Sequence, residues 1–351
     1  AGLDGDDSAW QLRALAARAL VRLGRPDEAR EMFDAVLEQA VSAAARTEAM
    51  TGIAGLEVRK GHFEEAARWC DMVFEITEEE TESVARAHSI RALASTRSGW
   101  SDATDHAKRA REIYDRIGDV AGAANALNNL AYHAFYVGSW AECESHHRAA
   151  LAAREQIGDV LGRALASYNL GELLVEQGRL DESEDFLDSA LADFRGAGHL
   201  VGESATRLTM ARLFARLGDV EGAEAQFERA EGLAQMASAD EQLVDVAFGR
   251  SELALISGDR EPDTPLSHVD RDSLSPVQAV RLDLLAALAS TSDPERRTAL
   301  EAAAARGSDL GTLHLVQLAA ETLDRLYGAE HERALELSQR LGLVARPVFR
   351  L

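Results

Sequence analysis

Few residues in this chain have the type and spacing to do chemistry. The densest group is Cys143, His146 and His147, with His133 ten residues before the cysteine. On a helix, positions three and four apart share a face, which is the spacing of metal ligands. Cys143 and His147 also fall on the positions where their helix packs, so the expectation is a core thiol and a packed imidazole with no metal bound. His331-Glu332 lacks the second histidine of a zinc-protease helix, and there is neither a G-x-S-x-G elbow nor a glycine-rich phosphate loop followed by lysine. Acid runs such as Glu78, Glu79 and Glu80, or Asp181, Glu182 and Glu184, have the groups for general acid–base work. They sit at helix ends and on outward faces, where carboxylates complement the helix dipole. The chain reads as non-catalytic, with no cofactor.

Composition narrows the partners. A formal net charge of -23 and a pI near 4.8 disfavour direct contact with nucleic acid, because phosphates would be repelled over most of the surface. No run of about 18 apolar residues is present, so no membrane span is expected. Two cysteines, Cys70 and Cys143, make no disulfide framework and fit a reducing cytoplasm. The chain does not begin with Met and reads as a piece of something longer.

The elements that position these residues follow from a repeat. Gly118-Asp119, Gly158-Asp159 and Gly198-His199 stand forty residues apart, as do Gly138, Gly178 and Gly218, and also Gly122, Gly162 and Gly202. Apolar positions between them recur at three- and four-residue steps, the signature of helices. Turns at Gly24, Gly61, Ser98-Gly99, Gly138, Gly178, Gly218 and Gly258 divide the chain into hairpins. Five residues after the turn stands a small side chain (Ala29, Ala66, Ala103, Cys143, Ser183, Ala223). Nine after comes Phe33, Cys70, Ala107, His147, Leu187 or Phe227, and twelve after comes Val36, Val73, Ala110, Ala150, Ala190 or Ala230. Small residues at such places let antiparallel helices approach closely while the larger ones fill the space between hairpins.

This pattern, with Asn129-Leu130-Ala131 and Asn169-Leu170-Gly171 in the first helix of two hairpins, resembles the tetratricopeptide repeat. The roughly forty-residue period is similar to the variant found in kinesin light chains, spindle-orientation adaptors and the sensor arms of bacterial NTPase-type regulators. The resemblance implies an all-α, right-handed superhelical solenoid of about seven hairpins with a C-terminal helical cap. The divisions expected are a flexible N-terminal end at 1–8, a repeat array at 9–257, a loop at 258–275, degenerate capping hairpins at 276–342 and an extended tail at 343–351. Within the cap, Ser275-Pro276 and Asp293-Pro294 each read as a helix start, with two more helices near 309–327 and 329–342.

The resemblance also places the ligand face on the first helix of each hairpin. In the fourth hairpin that face carries Asn125, Asn128, Tyr132 and Phe135. The fifth contributes Leu165, Tyr168, Glu172 and Val175, the sixth Ala205, Leu208, Arg212 and Ala215, and the seventh Asp245, Phe248, Glu252 and Leu255. An asparagine amide offers donor and acceptor together and can pair with an extended peptide backbone. The expected function is a protein- or peptide-binding scaffold, the regulatory or sensor arm of a larger bacterial signalling protein, with other domains of its parent chain as possible partners. Two other functions stay open. One is a small-molecule sensor such as a sugar arm. The other is a self-association module, for which Leu313, Leu315, Val316 and Leu318 would supply an apolar edge.

Overall fold

A glycine in the left-handed region stands at the hairpin turns of the repeats; Gly178, at φ 77°, ends one helix and frees the chain to reverse into the next. The computed structural model describes residues 4–258, 266, 269–290, 292–341 and 343. These residues form seventeen α-helices and one 3-10 turn. The chain divides into two units, Ala1–His133 and Ala134–Leu351.

The first unit holds the hairpins α1 (Asp4–Arg22) with α2 (Pro26–Gln39), α3 (Ala43–Arg59) with α4 (Phe63–Ile76), and α5 (Glu82–Ser98) with α6 (Ala103–Ile117). It also holds most of α7 (Val120–Tyr136). The second contains α8 (Trp140–Ile157), α9 (Val160–Gln177), α10 (Leu180–Gly196), α11 (Leu200–Leu217), α12 (Val220–Ala237) and α13 (Asp240–Ser257). Four further helices follow, α14 (Pro276–Ala289), α15 (Asp293–Asp309), α16 (Leu313–Tyr327) and α17 (His331–Leu341). Half of the loop expected at 258–275 and nearly all of the tail at 343–351 lie outside the described residues.

The repeat positions behave as packing positions. Ala29, Ala66, Ala103, Cys143, Ser183 and Ala223 are all buried, and so is every residue nine and twelve after the turn. Burial pushes the Cys143 thiol up to about 12 and the His147 imidazole down to about 4. Both are core groups at neutral pH. The recurrent G-D-x-x-G openings also have a physical basis. Asp159 accepts from the Gly162 amide at 2.9 Å, and Asp119 and Asp219 do the same for Gly122 and Gly222, so the aspartate caps the next helix. His199 substitutes, its Nδ1 accepting from Gly202 at 3.0 Å. The second glycine is needed for space: a Cβ on Gly202 would lie 2.5 Å from the Phe194 ring, and one on Gly122 would lie 2.2 Å from Tyr114.

In the second unit α13 shares one apolar core with the C-terminal helices, built on Phe248, Leu255, Leu284, Leu300, Leu315 and Leu323. The helix expected from 309 starts instead at Leu313, because Gly311 turns the chain at φ 70°. Helices α16 and α17 fold back onto the hairpin that opens the unit. Leu313 meets Gly138, the Arg340 guanidinium donates to the Val137 carbonyl, and Gln177 Nε2 donates to the Leu341 carbonyl at 3.4 Å. This return corrects one expectation. Leu315 and Val316 are buried and Leu318 packs against the core, so no exposed apolar edge exists there.

Phe227 is fully buried between α11 and α13, its ring against Gly249. Phe227→Ala should lower unfolding free energy by about 3–5 kcal/mol in urea titrations, whereas a loss under about 1 kcal/mol would show that this position does not carry the packing.

Candidate ligand site on the helix face of the second unit

The first helix of each hairpin is buried on one side and half-open on the other, and the half-open stripe repeats at a fixed register. Thirteen residues before the turn glycine stand Glu48, Arg86 and Asn125 in the first unit, and Leu165, Ala205 and Asp245 in the second. Steps of three and four along each helix keep the stripe on one face.

In the first unit this face is polar and largely self-paired. Glu48 is buried; its carboxylate binds Arg86 at 2.9 Å, Ser83 at 2.6 Å and Arg18 at 3.5 Å. Burial works to raise the Glu48 carboxyl, but Arg86, Ser83 and Arg18 outweigh it and hold the group below the ordinary range. Asn125 is exposed and Asn128 half-buried. The Tyr132 hydroxyl accepts from Arg97 at 2.9 Å. The neighbouring Asn129 donates to the Ser89 carbonyl at 3.0 Å, a structural bond between α7 and α5.

In the second unit the same face forms a cavity of about 210 Å³. Tyr168 and Glu172 come from α9, Ala205, Leu208, Thr209 and Arg212 from α11, Glu241, Gln242 and Asp245 from α13, and Arg281 from α14. Six residues expected on the ligand face, Tyr168, Glu172, Ala205, Leu208, Arg212 and Asp245, are therefore brought together. Phe135 lies elsewhere in the unit, half-buried and stacked on Trp140 at 5.2 Å with His314 of α16 at 5.2 Å on it. Phe248 is fully buried beneath the Arg281 guanidinium, 5.3 Å away. Val175, Ala215 and Leu255, three before each turn, are buried too: the helix has turned that position into the core.

Charge dominates the floor of the cavity. Arg212 pairs with Glu176 of α9 and stands 3.8 Å from Glu252 of α13. Arg281 binds Glu252 at 2.7 Å and lies 3.8 Å from Asp245, while Arg216 joins Glu176 at 3.2 Å. Burial tends to strip charge from Arg212, but Glu176, Glu252 and Glu172 outweigh it and keep the guanidinium charged. Glu172 accepts from the Tyr168 hydroxyl at 3.2 Å. Its carboxyl is raised by burial, against the pull of Arg212 and with Glu176 adding to the rise; Asp245 is raised by burial as well. Two atoms are unmet in this lining. Gln242 Oε1, an acceptor, and Arg212 Nε, a donor, are shut away from solvent without a hydrogen-bond partner. Buried polar atoms left this way are costly, and the Arg212 Nε is offset by the Glu252 carboxylate 3.8 Å away.

The residues that sequence reasoning missed are Thr209, Glu241, Gln242 and Arg281 in the lining, with Glu176 and Arg216 behind it. Thr209 stands one place off the register, and Glu241 and Gln242 one turn before it, so a stripe drawn wider would have included them. Arg281 lies beyond the last repeat in the sequence and carries no repeat signal. Among the described residues no group of three or more potential ligands could hold a metal ion, and no helix is long and apolar enough to cross a membrane.

Models of the tetratricopeptide repeat match residues 15–78, 122–196 and 163–236, together about half of the chain. The chain is a tetratricopeptide-repeat protein. No curated protein sequence matches it. Solved structures do. A Rap protein complexed with competence and sporulation factor aligns at TM-score 0.67 and 14% identity over 95% of this chain and 99% of its own. The apo quorum sensor NprR from B. thuringiensis aligns at 0.52 and 14% over 94% of this repeat protein and 85% of its own. A STAND protein with a tetratricopeptide repeat sensor, from Pyrococcus horikoshii, aligns at 0.56 and 17%, with 93% of this chain on 46% of that one. At these identities the likeness is one of fold.

The raised carboxyl of Glu172 gives a pH prediction. Below the ordinary carboxylate range the group is protonated folded and unfolded and contributes nothing. As pH rises, the unfolded chain ionises first and the wild type loses stability until the folded carboxyl ionises too. Glu172→Gln should therefore match wild type at acid pH and exceed it near neutrality in thermal melts; equal pH profiles would contradict the assignment.

Proposed function

We propose that this tetratricopeptide-repeat protein is a non-catalytic scaffold that binds an extended peptide segment on the helix face of its second unit. The observation that carries this reading is the cavity with donors and acceptors side by side. The guanidinium groups of Arg212 and Arg281 stand beside the acceptors of Glu241, Gln242 and Asp245 in one lining, and a peptide group presents the matching C=O and N–H. The lining holds a single aromatic ring, Tyr168, among charged and polar groups. A sugar site would favour several converging rings, so the polar lining supports a peptide over a sugar. Tyr168, Glu172, Leu208, Arg212 and Asp245 are assigned to this ligand. Asn125, Asn128 and Tyr132 are proposed as a second, separate polar contact surface on the first unit.

The structural neighbours support a regulatory role. One is described in complex with a competence and sporulation factor, one as a quorum sensor, and one as a signal-transduction ATPase whose sensor is this kind of repeat. By that analogy the chain acts as the sensor arm of a signalling protein, with a peptide or protein segment as its input. The two cysteines are buried, and neither forms a disulfide, which fits a reducing cytoplasm.

The test begins with a random heptapeptide library panned on the protein and the affinity of the best synthetic peptide. Gln242→Ala should weaken that peptide by about 1 kcal/mol, roughly fivefold, with an unchanged melting temperature. Undiminished affinity would remove the cavity from the binding site.

A further inference from the structure

The mouth of the cavity is built differently on its two sides. On the α13 side stand the acids Glu241 and Asp245. On α9 and α11, just before the lining residues of the same stripes, stand Leu161 and Leu165 of α9 and Val201 of α11. These are 46, 44 and 42% exposed. Their placement follows from periodicity. Leu161, Leu165, Tyr168 and Glu172 recur at steps of four, three and four on α9, as do Val201, Ala205, Leu208 and Arg212 on α11, so each exposed residue shares a face with lining residues. A direct bond ties the two regions: Gln242 Nε2, from the lining, donates to the Val201 carbonyl at 3.0 Å.

Singly exposed aliphatic residues are ordinary on a protein surface. Here Leu161 and Val201 hold the same register position on helices that both line the cavity, and their stripes run on through Leu165 and Ala205 to Tyr168 and Leu208 in its wall. An apolar strip that runs into a polar cavity suits a ligand that is itself two-sided.

We propose that Leu161, Leu165 and Val201 form an apolar lip that receives an aliphatic side chain of the same peptide whose backbone enters the cavity. The ligand class is then an extended, amphipathic peptide in which an apolar residue flanks the segment bonded within the cavity. The lip selects among peptides, while the cavity engages the peptide group that all of them share. This inference rests on the peptide reading above.

The experiment pans the random heptapeptide library on the wild type and on two variants, Leu161→Gln/Leu165→Gln and Val201→Gln. Glutamine keeps the helix and adds no charge, and all three positions are half-exposed, so folding should be intact by circular dichroism. Wild type should enrich peptides with an aliphatic residue at a constant position. The double variant should bind the best synthetic peptide about tenfold more weakly, as expected for one lost aliphatic contact. The same peptide with serine at that position should bind wild type and variant alike. Enriched peptides without an aliphatic preference, or an unchanged affinity in the double variant, would overturn the lip and leave the peptide reading in place. If wild type enriches no peptide, the reading and the lip fall together. Sedimentation equilibrium covers the remaining occupant: a wild-type dimer abolished by the double variant would assign the strip to a second copy of the chain and overturn the proposal.

Discussion

Arg212 stands between carboxylates on two neighbouring helices, Glu176 of α9 and Glu252 of α13, and the candidate site depends on that bridging. A guanidinium can serve both sides only if three helices are held at one spacing. The spacing is set behind the site, where Gly171 lets Leu187 in, Gly249 lets Phe227 in, and Ala223 and Ala230 permit close approach. An added methyl group at either glycine would meet the facing side chain at under 3 Å. Packing of small residues thus places charges where they face one another across a cavity. Removing one partner from such a set leaves a buried charge uncompensated, so the network specifies geometry more than it adds stability.

Most of the fold was legible in the residues because the repeat presents the same physical problem many times. Ala29, Ala66, Ala103, Cys143, Ser183 and Ala223 differ in chemistry, but each stands five after a turn, and each is buried. Position outweighed residue type, which is why Cys143 and His147 are core groups despite their ligand-like spacing. The C-terminal helices were legible as helices from their caps, as at Ser275, whose hydroxyl accepts from Gln278 while Gln278 reaches back. Their return onto Gly138 was not legible. It depends on contacts such as Leu313 with Gly138 and Gln177 with Leu341, across 164 residues or more, and local periodicity carries no information at that range.

The site was legible in part for the same reason. Register placed Tyr168, Glu172, Leu208, Arg212 and Asp245 on one face. It said nothing of depth, so Phe248, on the same stripe, turned out to be core beneath Arg281. The closing residue, Arg281, belongs to a helix outside the repeat and had no periodic signal. Of Leu165, Ala205 and Asp245, which share one register position, Ala205 and Asp245 line the cavity and Leu165 does not, a difference that register alone could not show.

The central claim is that ligand is held on the first helices of the hairpins in the second unit. Photo-crosslinking measures this most directly: a library-selected peptide carrying a benzophenone at its centre is irradiated with the protein, and the adducts are mapped by mass spectrometry. Adducts should fall on α9, α11 and α13, at or beside Tyr168, Leu208 and Gln242. Adducts confined to the second helices of the hairpins, α10 and α12, would place binding on the opposite face and contradict the account.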